Sequence, residues 1–342
     1  MKQSNFGRRD FMKVAGMSAA VGATGSLPGN AAETSGAQKS FAPETKFPKL
    51  ALITEYSPQK LAFATQAGYE GVVVKTGKGF HPDLSDNEID SILRVSRDAG
   101  CSIISIECMF DAQGAGINHI ARDPAVRRSA QEKLVRCLEF GHRLGCRFIG
   151  TFSGGIPGAD FNRQASELAA AFNERYLPVC EKLDVTMGWE NYPTDINFAT
   201  VPAAWRAVFS QVSSHRLGLE FDPSHLIRQY IDPYAAAWEF RDRILGVHFK
   251  DTEITEPVLQ QVGILGKDWW RYRIPGQGLI DWPRFITVLL QAGFHGGAAV
   301  EHEDPFWDAP AGSDAPEFPQ ARKDGFILAA RFLRQFLPGR LA

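Results

Sequence analysis

The chain has 342 residues, 44% of them apolar and 22% charged, with a formal net charge of −2. This length admits one large domain or two ordinary ones, and the composition is that of a globular protein with a sizeable core. No Lys/Arg stripe interleaved with aromatics runs along it, which excludes an ordinary nucleic-acid footprint.

The first segment differs in character from the rest. Ser4-Asn5-Phe6-Gly7-Arg8-Arg9-Asp10-Phe11-Met12-Lys13 places an arginine pair ahead of a short, Gly- and Ala-rich apolar stretch from Val14 to Leu27. Small residues follow at Gly29-Asn30-Ala31. Residues 1–31 therefore read as a cleavable twin-arginine export signal, too short and too weakly apolar for stable membrane insertion. The polar residues 32–48, with Pro and Gly, read as a linker. The expected location is periplasmic or otherwise exported, with the twin-arginine translocase as a partner.

From residue 49 to 338, strand-like and helix-like patterns alternate. Strands are expected at 50–54, 71–75, 102–108 and 146–152, each followed by a helix (58–67, 87–99, 124–144 and 162–183). The rhythm continues with strands at 185–190, 216–222, 244–250 and 296–302, and helices at 202–212, 233–241, 282–292 and 318–336. The strands are near-continuous apolar runs, as when both faces are buried. Eight alternations predict a single-domain α/β (β/α)8 TIM barrel. A doubly wound sheet is the alternative, but no Gly-rich phosphate turn follows the first strand. Residues 251–281 interrupt the rhythm with DWWRYRIPGQG and are expected to form a lid or substrate wall. The five cysteines (Cys101, Cys108, Cys137, Cys146 and Cys180) are odd in number and form no C-x-x-C pair, so they read as buried small hydrophobes.

Four successive strands of the second half end in potential metal ligands: Glu190 in MGWENYP, Asp222 in LEFDPSH, His248 in GVHFKD and Glu301 in AAVEHED. Barrel enzymes build their sites at the carboxyl ends of strands, so these side chains are expected to converge. Three carboxylates and one imidazole form a hard, oxygen-rich set for one divalent ion: Mn²⁺, Co²⁺ or Mg²⁺, with Zn²⁺ also compatible.

The spacing Asp222-Pro223-Ser224-His225, followed by V-H-F-K-D, P-G-Q-G-L-I-D-W and V-E-H-E-D-P, resembles the sugar isomerase/epimerase family of xylose-isomerase-like TIM barrels. The resemblance covers roughly residues 48–337 and includes ketose 3-epimerases and inosose dehydratases. It implies that Glu190, Asp222, His248 and Glu301 bind the metal, and that Glu190 and Glu301 also form the acid/base pair. His225 is then expected to line the substrate site. Abstraction of a proton α to a carbonyl creates an enediolate, which a Lewis acid stabilises and paired carboxylates can protonate again. Elimination begins the same way and adds acid assistance, for which Lys250, His225 and His302 are candidates. The ketose 3-epimerases carry an arginine a few residues after the seventh-strand His, where this chain has Ile254; Arg273 is the expected substitute.

Further substrate contacts are expected from Glu107, His81 and Trp189, with Glu55, Lys75, Trp269, Trp270 and Phe306 nearby. The leading expectation is a metal-dependent isomerase or epimerase of a keto-sugar. A lyase or dehydratase acting on a keto-glycoside or inosose is the alternative. An endonuclease-IV-like phosphodiesterase and a non-catalytic sugar-binding protein are the remaining classes. A small carbohydrate is the expected substrate, and assembly into a homo-oligomer is compatible with the sequence.

Overall fold

The computed structural model describes residues 47–110, 116–307 and 315–339. The expected signal peptide and all of the expected linker except Phe47 and Pro48 lie outside the described residues. Eight parallel strands close into a barrel: β1 (Lys49–Glu55), β2 (Gly71–Lys75), β3 (Ser102–Glu107), β4 (Phe148–Thr151), β5 (Thr186–Glu190), β6 (Leu217–Phe221), β7 (Ile244–Phe249) and, after an antiparallel pair β8 (Asp251–Ile254) and β9 (Trp270–Arg273), β10 (Gly297–Val300). Neighbouring barrel strands follow chain order, and β10 closes the ring between β7 and β1.

Helices α1 (Pro58–Gln66), α2 (Asp86–Asp98), α3 (Pro124–Arg143), α4 (Phe161–Ala171), α5 (Leu177–Leu183), α6 (Pro202–Phe209), α7 (Pro223–Ile227), α8 (Pro233–Glu239), α9 (Glu256–Val262), α10 (Trp282–Gln291) and α11 (Gln320–Leu333) complete the described elements. Many of them start by one local rule. Asp123, Asp222 and Asp232 each accept backbone N–H bonds at the first turn, and each is followed by a proline whose missing N–H costs nothing there. The expected single helix at 162–183 is instead α4 and α5 joined by a π-helical turn over Phe172–Tyr176. Pro178 has no N–H to donate back into that turn, which accounts for the widened ladder. No helix among the described residues is long and apolar enough to cross a membrane.

The main core lies between strands and helices, and a small second core of Ala51, Ile53, Val73 and Ala299 fills the lumen. Period-2 alternation sends neighbouring residues of a strand to opposite sides of the wall. In the second half, lumen positions are glycines (Gly188 and Gly246) against the ring of Phe148, where a Cβ would lie within 3 Å of it. A register shift between β2 and β3 lets both Ile104 and Glu107 face the lumen despite their odd spacing.

The 251–281 interruption is an ordered insertion. Its two short strands form a hairpin around α9, and its side chains brace the barrel mouth, as described below.

Candidate active site and metal centre

Glu190, the last residue of β5, alternates into the lumen, and Asn197 Nδ2 donates to its carbonyl at 2.7 Å. Asp222 is the N-cap of α7. Its Oδ1 accepts from Ser224 N at 2.8 Å, which turns Oδ2 towards the lumen. Asn191 holds the Asp222 backbone from both sides, accepting from its N–H at 2.8 Å and donating to its carbonyl at 2.9 Å. His248 and Glu301 come from β7 and the end of β10. One donor atom from each of Glu190, Asp222, His248 and Glu301 lies within 4.8 Å of the others, and all four residues are buried.

His248 Nδ1 is the centre of this group, 3.0 Å from Glu190 Oε1, 3.3 Å from Glu301 Oε2 and 3.9 Å from Asp222 Oδ2. Its Nε2 faces deeper into the lumen, 3.2 Å from Glu107 Oε1 and 3.3 Å from Glu220 Oε1. Glu220 was not singled out by sequence because it sits inside an apolar run. Only its even spacing from Asp222, and Gly150 opposite, betray it: a Cβ at Gly150 would lie 2.2 Å from Glu220 Oε2. Burial pushes the Glu220 carboxyl up to about 8 against the opposing pull of His248.

Lys250 Nζ also enters the cluster, 2.7 Å from Glu301 Oε2, 2.9 Å from Glu303 Oε2 and 3.1 Å from Asp222 Oδ2. Lys75 Nζ approaches Glu301 Oε1 at 3.3 Å. Burial works to raise the Glu301 carboxyl, but the Lys250 and Lys75 ammonium groups and His248 hold it well below the usual range. For Glu190, burial is likewise outweighed by His248, with His225 assisting, so this carboxyl also lies low. Burial would lower His248, and the carboxylates of Glu190 and Glu220 raise it instead.

The four-residue set fits a divalent cation. It concentrates three carboxylates on one imidazole nitrogen, and the fully buried Asp222 Oδ2 accepts no well-formed hydrogen bond. A second set, Glu107, Glu220 and His248, also meets the spacing for an ion, but it uses the opposite ring nitrogen.

A cavity of about 170 Å³ opens over this cluster, lined on one side by Lys75, Glu107, Glu190, Lys250, Glu301 and Glu303. The facing wall is Met109, Phe110, Phe152 and Tyr192, with Phe152 edge-on to Phe110 and stacked with Tyr192. His225 lies beside the cavity floor, its Nε2 3.1 Å from Glu190 Oε1 and 3.2 Å from Asp222 Oδ2.

Several expected substrate contacts lie elsewhere. Trp189 is one residue from Glu190 and therefore points outward; its Nε1 donates to the Ala199 carbonyl and its ring stacks on Phe209. His302, next to Glu301, packs its ring edge-on to Phe326 of α11 for the same reason. Arg273 donates to Asp304 at 2.9 Å and to Glu253 at 2.5 Å, so its guanidinium braces the loop after β10 and does not line the cavity. His81 also lies off this cavity, within electrostatic reach of Glu88. Trp269 stacks on Tyr230, and Trp270 forms a shelf for Arg228 at 4.3 Å. No residue of the insertion lines this cavity, so the expected lid or wall at 251–281 instead packs against residues around the site. The apolar wall of the cavity comes from residues after β3, β4 and β5, which look like ordinary core in sequence.

The profile of a family described as Xylose isomerase-like TIM barrel matches residues 61–335. An inosose dehydratase of Lacticaseibacillus casei is 30% identical over 95 residues, 26% of this chain and 32% of that protein. The chain thus spans about a third of the length of the curated relatives it matches. Among solved structures, the D-psicose 3-epimerase of Clostridium cellulolyticum H10 superposes with a TM-score of 0.63 at 15% identity, over 84% of this chain and 99% of the other. The 3-keto-D-glucoside 4-epimerase of E. coli superposes with a TM-score of 0.60 at 15% identity, again over 84% and 99%. At such identities the structural likeness establishes the fold.

Proposed function

This chain belongs to the xylose isomerase-like TIM barrel family, and we propose that it is a divalent-metal-dependent isomerase or epimerase of a keto-sugar. The observation that carries the reading is the meeting of Glu190 and Glu301, both held as carboxylates, around one nitrogen of His248 beneath an aromatic-walled cavity.

Glu190, Asp222, His248 and Glu301 would hold the ion, which when bound supplies Lewis-acid stabilisation of charge developing on substrate oxygens. Glu190 and Glu301 come from opposite ends of the ligand arc, on β5 and after β10. One removes a proton from the carbon next to the carbonyl, and the other returns it to the opposite face. Lys250 and Lys75 keep Glu301 ionised, ready to accept a proton. Phe110, Phe152 and Tyr192 offer an apolar surface to the C–H face of a sugar and exclude water from it. Glu107 and Glu303 supply acceptors for hydroxyl groups.

A lyase or dehydratase reading has one specific support. The Lys250 ammonium sits 2.7 Å from Glu301, where a proton donor to a leaving hydroxyl or aglycone would be needed. Incubation of Mn²⁺-loaded protein with D-psicose and with a methyl 3-keto-glucoside in D₂O tests both. The proposal predicts an isomeric product carrying one deuterium at the epimerised carbon. Loss of water or methanol with an unsaturated product would favour elimination; both sugars recovered unchanged and without deuterium would count against both.

The twin-arginine reading of residues 1–31 completes the proposal, making this an exported enzyme loaded with metal before transport. Replacing Arg8 and Arg9 with lysines should leave the protein in the cytoplasmic fraction; unchanged periplasmic recovery would remove this part of the reading.

A further inference from the structure

The insertion hairpin reaches the proposed site through one side chain. Tyr272, on β9, brings its hydroxyl to 2.7 Å from His225 Nδ1. The same oxygen lies 2.9 Å from Arg228 Nη1. Arg228 is held in place by Trp270, whose ring lies 4.3 Å beneath the guanidinium. His225 is fully buried, and its other nitrogen, Nε2, faces Glu190 Oε1 at 3.1 Å and Asp222 Oδ2 at 3.2 Å.

Donor and acceptor chemistry fixes the direction of this chain from both ends. A guanidinium can only donate, so the Tyr272 oxygen accepts from Arg228. The phenol proton then has His225 Nδ1 as its nearby acceptor, which makes Nδ1 the unprotonated nitrogen. At the far end, an ionised carboxylate can only accept, so Nε2 carries the hydrogen towards Glu190 and Asp222. Lys250 Nζ lies 3.5 Å from Nε2, further than either carboxylate oxygen, and is itself engaged by Glu301, Glu303 and Asp222. The two ends agree on one tautomer.

We infer that Tyr272, set by Arg228, is a positioning residue that holds the His225 ring with Nδ1 as acceptor and its Nε2–H aimed at Glu190. His225 is thereby kept a hydrogen-bond donor beside the floor of the cavity, next to one of the two proposed acid/base carboxylates. The hairpin and the chemistry are joined by the order Arg228, Tyr272, His225, Glu190. The hydrogen-bond chain stands on this geometry alone, whereas its effect on turnover rests on the proposed function.

The test uses the full chain with ¹⁵N-labelled histidine in Mg²⁺, comparing wild type, Tyr272→Phe and Arg228→Met. His225→Gln identifies the His225 signals by their loss. Long-range ¹H–¹⁵N correlation should show His225 protonated at Nε2 in the wild type. In Tyr272→Phe, which keeps the ring and its contact with Lys250, that tautomer should lose population to the Nδ1–H form, because only the carboxylate end then favours it. Turnover should fall roughly 10- to 100-fold, the range for a lost group that orients a ligating-site histidine, with KM changed far less. Arg228→Met removes the donor that orients the phenol and should shift the tautomer in the same direction; it decides the matter if Tyr272→Phe fails to fold. A wild-type His225 protonated at Nδ1, or substituted chains that keep the wild-type tautomer, would overturn the hydrogen-bond chain. Unchanged kcat in folded Tyr272→Phe would overturn the positioning role. If the wild type turns over no keto-sugar, the proposed function fails, while the tautomer still decides the hydrogen-bond chain.

Discussion

Two buried histidines, one from each half of the barrel, are driven in opposite directions by what surrounds them. His119, between β3 and α3, sits against the Phe152 carbonyl and the Tyr176 ring, and burial lowers it to about 4 despite the backbone acceptors at Phe152 and Ser153. His248, in β7, is equally buried, yet the carboxylates of Glu190 and Glu220 raise it. The first half of the mouth is thus largely a wall, to which Met109, Phe110 and Phe152 contribute, with Glu107 and Lys75 projecting from it. The second half delivers the carboxylates of Glu190, Asp222 and Glu301 to a single imidazole. Burial acts on both histidines in the same direction, and the carboxylates beside His248 make the difference between these two.

This contrast is open to attack from both sides, beginning with the second half. Glu190→Gln and Glu301→Gln remove the proposed proton-transfer groups with little change of shape. Each should lower turnover on the order of 10²- to 10⁴-fold while far-UV circular dichroism stays native. Near-normal turnover in either variant would remove that glutamate from the chemistry. Chelation with EDTA should abolish activity, and Mn²⁺ or Co²⁺ should restore it; activity that survives complete chelation would exclude metal dependence.

In the lumen below the cluster, Gly150→Ala should displace Glu220 from His248. Metal affinity should fall roughly 10- to 100-fold and stability by about 1–3 kcal/mol. An alanine variant with wild-type metal affinity would show that Glu220 does not orient His248. In the first half, Phe152→Ala should raise KM roughly 3- to 10-fold with a smaller change in kcat, since the ring provides surface and no charge. A kcat loss as large as that of the glutamate variants would blur the distinction between the two halves.

His119 lies off the proposed chemistry and provides a sign check on stability. Its folded pKa lies below that of an unfolded histidine, so the unfolded chain binds the extra proton first as pH falls. Between about 6.5 and about 4 the folded state should therefore lose up to ~3 kcal/mol from this residue. Urea midpoints across that range should fall less steeply in His119→Gln than in the wild type.

Much of the candidate site was legible because each proposed ligand lies at or near the end of an apolar run, and a carboxylate or imidazole there stands out against Val, Leu and Phe. Glu220 was hidden because it lies within such a run, where its charge reads as an interruption until its period-2 relation to Asp222 is applied. The same alternation should have excluded Trp189 and His302, each one residue from a lumen-facing glutamate. The eight strands were legible from near-continuous hydrophobicity. The hairpin at 251–273 was not, because its strand Trp270–Arg273 is only partly buried throughout and carries no clean alternation. The π-helical turn was equally hidden, since the helical periodicity runs through it and only Pro178 marks the break. The aromatic wall could not be told from core packing, because in a sequence the two have the same composition.

Whether one divalent ion is held by Glu190, Asp222, His248 and Glu301 is decided by calorimetric titration of the metal-stripped full chain with Mn²⁺. One equivalent should bind per chain, and Asp222→Asn, which preserves size and can still cap α7, should weaken that binding at least about 10-fold. A chain that binds no Mn²⁺, Co²⁺, Mg²⁺ or Zn²⁺, or an Asp222→Asn variant that binds as tightly as the wild type, would contradict the account.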